Sequence, residues 1–80
     1  MKNNKKTILI IEDDNVLRGL LKTGLSHAGF QVLEACEGQE GIAIAKSKQP
    51  DLILLDLMLP TIPGEKVLKE VGTNKLTKDI

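Results

Sequence analysis

Two short apolar runs, each ending in acid, constrain this chain more than any other feature. Thr7-Ile8-Leu9-Ile10-Ile11 is β-branched and continuously apolar, and Glu12-Asp13-Asp14 follows at once. Asp51-Leu52-Ile53-Leu54-Leu55-Asp56 repeats the pattern after Pro50, with Asp56 set inside a run that continues Leu57-Met58-Leu59. Unalternating aliphatic runs of this length suit strands covered on both faces, and such strands belong to parallel sheets. Phe30-Gln31-Val32-Leu33-Glu34-Ala35 alternates more and reads as a third strand at an edge.

Between these runs the apolar spacing changes to three and four. Val16, Leu17, Leu20, Leu21, Leu25 and Ala28 make one apolar stripe. Asp14 or Asn15 can cap that helix and Gly29 can end it. Gly19 and Gly24 weaken it, each by up to about 1 kcal/mol relative to Ala. A second helix is expected over residues 39–48, burying Ile42 and Ala45 with Ala43 a further candidate. A third starts near Pro63-Gly64, buries Val67, Leu68 and Val71, and stops at Gly72 or Asn74. The order β-α-β-α-β-α predicts an α/β fold with a parallel sheet and right-handed crossovers.

Composition then removes whole classes of function. Eleven Lys plus Arg balance eleven Asp plus Glu, so no net charge favours nucleic acid or an anionic membrane. Phe30 is the only aromatic residue, which leaves no platform for base stacking. Cys36 is alone and can form neither an intramolecular disulfide nor a multi-cysteine zinc site. A reduced, cytoplasmic setting fits that usage. The longest apolar run is far too short to span a membrane. Met1-Lys2-Asn3-Asn4-Lys5-Lys6 is basic but leads into no secretory apolar region, so residues 1–6 are expected to be a disordered tail. Eighty residues make one small domain that buries only around 60% of its unfolded surface.

The acids carry the chemistry. In a parallel sheet, Glu12-Asp13-Asp14 and Asp56 fall at the carboxyl ends of strands, where open α/β sheets place their ligands. With the first and third strands adjacent, Asp13 and Asp56 converge. Convergent carboxylates raise one another's pKa unless a cation lies between them, and hard oxygen donors suit Mg²⁺. A metal against Asp56 would neutralise charge on an incoming phosphoryl group, and a carboxylate can act as nucleophile to form an acyl phosphate. Asp13 and Asp14 can equally serve as helix caps. Asp56 is too far from Pro63 to cap the next helix, and an unpaired buried carboxylate is costly. His27 reads as a cation at a helix C-terminus. Cys36 is expected to pack at a strand end, kept unreactive by Glu34 and Glu37.

These residues resemble the receiver domain of two-component response regulators, of the chemotaxis-regulator kind. Ile8-Leu9-Ile10-Ile11-Glu12-Asp13-Asp14 resembles that family's first strand and acidic pair, and Pro50 to Pro60 its phosphoacceptor strand and following loop. Gly64 stands where the family usually opens its third helix with glycine. The resemblance implies a three-layer, flavodoxin-like fold of sheet order 2-1-3-4-5, of which this chain holds 2-1-3 and three helices over residues 7–80. It implies that Asp56 takes a phosphoryl group from a histidine kinase or phosphotransfer protein. Mg²⁺ would be held by Asp13 and Asp56 directly, by Glu12 through water, and by the backbone carbonyl of Met58. Asp14 lies outside the matched pair and is left to capping.

The chain departs from the family in extent. It is expected to stop at the threshold of a fourth strand, with Leu76-Thr77-Lys78-Asp79-Ile80 approaching it. The family's hydroxyl residue on the fourth strand and lysine on the fifth have no counterpart. Loss of that lysine's charge predicts impaired phosphorylation. The third strand becomes an open edge, which predicts self-association or completion by another segment. The rival reading is a non-catalytic assembly or dimerisation module derived from a receiver fragment. A phosphatase with a strand-end nucleophile usually has a second aspartate two residues on, where Met58 stands.

Overall fold

The computed structural model describes residues 5–59 and 61–80. Residues 1–4 of the expected tail, and Pro60 of the loop matched to the family, lie outside the described residues. Three strands form, β1 (Thr7–Ile11), β2 (Gln31–Ala35) and β3 (Leu52–Leu55). Three helices follow them in turn, α1 (Asn15–His27), α2 (Gly38–Lys48) and α3 (Gly64–Thr73). The sheet order is β2-β1-β3 with both pairings parallel. The fold class and strand order expected from the sequence are those observed.

The aliphatic run of β1 explains its central place. Ile8, Leu9, Ile10 and Ile11 are all nearly inaccessible, and each such burial contributes about 1.5–3 kcal/mol. Side chains alternate across a strand. Leu9 and Ile11 therefore join Ala35 of β2 in the main core, with Ile42 and Ala45 of α2 and Val67 and Val71 of α3. Ile8 and Ile10 point to the opposite face, where α1 lies. Helices thus cover both faces of the sheet, in three layers. α2 comes close enough over β1 that a methyl group at Gly41 would overlap the Ile11 side chain.

Local signals set most boundaries. Asp14 caps α1, its Oδ1 accepting from the amides of Val16 at 2.9 Å and Leu17 at 3.1 Å. The chain leaves that helix through Gly29 at φ 102°, a conformation costly for any residue with a Cβ. Phe30, expected in the second strand, instead donates its amide to Leu25 and closes the helix end. Lys6, assigned to the tail, already accepts from the Gln31 amide at 2.9 Å. α3 ends with Asn74 as its C-cap.

Other expectations are corrected by what covers each face. Among the described residues, α1 is the one helix over its side of the sheet, and it sits on β1 and β2. Only Leu21 and Leu25 of its apolar stripe are half-buried, while Val16 and Leu20 stay 73% and 66% exposed. Leu68, expected inside α3, faces solvent, as does Ala43 of α2. Leu76 to Ile80, read as the approach to a strand, instead belong to or follow a turn over residues 75–79, where the Thr77 hydroxyl donates to the Val71 carbonyl at 2.8 Å.

Candidate functional site

The site is built by register. Ile11 of β1 is level with Ala35 of β2 and Leu55 of β3. One residue further, the Glu12 amide donates to the Ala35 carbonyl at 3.0 Å, and the Asp56 amide donates to the Ile11 carbonyl at 3.0 Å. The sheet therefore ends with Glu12 and Asp56 side by side. Carboxylate oxygens of Glu12, Asp13 and Asp56 come within 4.8 Å of one another. The three candidate carboxylates named from the sequence are brought together.

Their environments differ. Glu12 is buried, Asp56 half-buried and Asp13 exposed. The Asp14 amide donates to Glu12 Oε2 at 3.0 Å, which favours the charged form and lowers its pKa. Burial, the charge of Asp56 and hydrogen bonds shared with Asp56 and Asp13 outweigh that bond, so the Glu12 carboxyl sits above its ordinary value. Three carboxylates held this close want a cation. The donor set is all hard oxygen, which fits Mg²⁺ in kind.

Asp56 is less isolated than the apolar run around it implied. It lies just past β3, half open to solvent, and its Oδ1 accepts from the Met58 amide at 2.9 Å. That turn leaves the Met58 side chain 85% exposed and its main chain tied to the phosphoacceptor candidate. The turn is braced from behind by α3. The Gly64 amide donates to the Leu57 carbonyl at 3.1 Å. A Cβ at Gly64 would strike the Leu57 backbone and come within 2.9 Å of the Asp56 carbonyl oxygen. Glycine is required there for the close approach of two backbones.

One contributor escaped the sequence reading. Arg18 of α1 donates from Nη1 to the Glu12 carbonyl at 2.8 Å and from Nη2 to Asn15 Oδ1 at 2.7 Å. Its Nε pairs with Glu34 Oε1 at 3.3 Å, and Lys22 reaches the other oxygen of Glu34 at 3.1 Å. The spacing of three to Asn15 was visible in the sequence; the reach to Glu12 and Glu34 needs the folded sheet. Cys36 is also placed differently. It follows β2 but is exposed, and its partner is Glu40, whose Oε1 accepts from the Cys36 amide at 3.0 Å and lies 3.5 Å from the thiol sulfur.

This pattern has a match. The profile of the response regulator receiver domain covers residues 8–80. The chain belongs to that family. Receiver domains are phosphoacceptor modules of two-component phosphorelay signalling and pair with histidine kinases. Over 73 residues this receiver chain is 44% identical to the DNA-binding dual master transcriptional regulator RpaA of Synechocystis, covering 91% of the chain and 30% of the relative. It superposes with a TM-score of 0.90 and 31% identity on the N-terminal domain of a response regulator receiver protein from Methanoculleus marisnigri, covering 94% of the chain and 61% of that domain. A similar fold, at 24% identity and a TM-score of 0.88, is the receiver domain of the Pseudomonas aeruginosa sensor histidine kinase PA1611; 92% of the chain and 61% of that domain are covered. That domain is described with a magnesium ion coordinated in its active-site cleft. The chain thus spans about 30% of the length of its curated relatives and about 60% of the solved receivers. Among the described residues no helix is long and apolar enough to cross a membrane.

Proposed function

We propose that Asp56 is the phosphoacceptor of this receiver and takes its phosphoryl group from a phosphohistidine of a kinase or phosphotransfer protein. The observation that carries this reading is the convergence of Glu12, Asp13 and Asp56 within 4.8 Å at the ends of adjoining parallel strands. An Asp56 oxygen attacks phosphorus, the N–P bond breaks, and the imidazole leaves with the bonding pair and takes a proton. The cluster's three carboxylates would hold Mg²⁺, which would supply positive charge against the phosphoryl oxygens. Asp13 and Asp56 would hold it directly, with Glu12 acting through water and the Met58 carbonyl as a further ligand. The magnesium ion described in the Pseudomonas aeruginosa receiver supports the choice of metal.

A second reading, an assembly module, is favoured by the outer edge of β3, unpaired among the described residues, and the exposed Leu52 on it.

Intact-mass measurement after incubation with a small phosphodonor and Mg²⁺ separates the two. A gain of one phosphoryl group that disappears in Asp56→Asn supports the phosphoacceptor. No gain in either protein, with folding unchanged by Mg²⁺, supports the assembly module.

A further inference from the structure

We propose that Arg18 is a positioning residue for the acidic cluster: by clamping the Glu12 carbonyl it fixes the main chain from which Asp13 projects. The proposal rests on the cluster being a Mg²⁺ site, as argued above.

The side chain of Arg18 is 17% exposed, and its three hydrogen bonds join three parts of the fold. Asn15 begins α1, Glu34 belongs to β2, and the Glu12 carbonyl is the first past the end of β1. The Glu12 carbonyl and the Asp13 amide share one planar peptide unit. A guanidinium held at 2.8 Å on that oxygen therefore sets the plane from which the Asp13 backbone starts. The Glu12 amide is held by the Ala35 carbonyl at 3.0 Å. Both main-chain polar groups of Glu12 are thus pinned, one by the sheet and one by Arg18. Partners that orient a metal's ligands are worth as much as some ligands, and losing one costs about 10–100-fold in affinity.

The sign of the effect separates this role from two simpler ones. Arg18 is a cation beside a cation site, so a purely electrostatic role predicts tighter Mg²⁺ binding once it is removed. A role only in docking α1 predicts a lower melting temperature with unchanged affinity in the folded protein. Positioning predicts weaker binding despite the relieved repulsion.

Mg²⁺ affinity is measured by titration calorimetry on the eighty-residue chain, with circular dichroism to establish that each variant is folded. Arg18→Met is expected to weaken binding about tenfold, and Arg18→Lys, which keeps a charged donor, to stay within about threefold of the parent. Glu34→Gln removes the β2 anchor but leaves the Glu12 contact, and is expected to stay within about twofold. Should Arg18→Met not fold, Arg18→Gln carries the same comparison, since its shorter neutral side chain cannot reach Glu12. Unchanged or tighter binding without the arginine overturns the proposal and leaves the metal site standing, as does an equal loss in Glu34→Gln. A parent that binds no Mg²⁺, or binds it equally as Asp13→Asn, overturns the metal site and the proposal together.

Discussion

The Asp56 amide donates to the Ile11 carbonyl across 3.0 Å, one step beyond the last register pair of β1 and β3. That bond carries the ladder past Leu55 and stops Asp56 beside Glu12. A slip of one residue would turn Asp56 to the other face of the sheet and empty the cluster. The chemistry of the site therefore depends on pairing between segments more than forty residues apart.

Two glycines of α3 are expected to respond with opposite signs to the same substitution. Gly64→Ala forces the helix away from Leu57 and is expected to cost about 1–3 kcal/mol in urea unfolding, with slower phosphorylation of Asp56. Gly72→Ala meets open space and is expected to stabilise by up to about 1 kcal/mol.

Magnesium is expected to stabilise the fold as well as enable chemistry. At a concentration of about 100 times Kd it adds about 2.7 kcal/mol, read as a rise in melting temperature. The rise is expected to vanish in Asp13→Asn. In the absence of metal, Asp56→Asn is expected to melt higher than the parent, because one of three crowded charges is gone. A lower melting temperature for that variant would show that the carboxylates do not strain the apo fold.

The Cys36 thiol is held above its ordinary pKa, first by its hydrogen bond to Glu40, then by partial desolvation and by the Glu40 charge, with Arg18 opposing. The folded thiol keeps its proton more tightly than the unfolded one. Its contribution to stability is present below the ordinary thiol pKa and is lost as pH rises through the raised folded value. Alkylation with iodoacetamide near pH 8 is expected to be slower for the folded chain than for the chain in urea. Glu40→Gln is expected to speed it, and equal rates in parent and variant would remove Glu40 from this role.

The outer edge of β3 is expected to pair with a second copy of the chain. Leu52, 49% exposed on that edge, is the position to charge. Sedimentation velocity is expected to show concentration-dependent association in the parent and a larger monomer fraction in Leu52→Lys. A parent that stays monomeric at every concentration would refute the pairing.

Much of this was legible in the residues alone. The aliphatic run of β1, the spacing within α1 and α3 and the Asp14 cap act through local backbone geometry, so element order and strand-end acids followed from them. The family resemblance placed Glu12, Asp13 and Asp56, and register brought them together. Burial was less legible. Val16, Leu20 and Leu68 have the spacing of core residues yet face water, because spacing defines a face and only packing decides what covers it.

Polar partnerships were the least legible. Glu34 and Glu37 stood nearest Cys36 in sequence, yet Glu40 reaches it because the first turn of α2 aims that side chain back past the Glu37 cap. Arg18 was not singled out from the sequence, and its bond to Glu12 exists only once α1 docks beside β1. The half-open setting of Asp56 came from the Met58 turn, which periodicity cannot encode. The sequence by itself determined the parallel α/β order and the acids at its strand ends, through hydrophobic pattern and local capping. Tertiary structure alone decided which apolar groups stay wet and which cation braces the site, because those depend on packing and on contacts between separate elements.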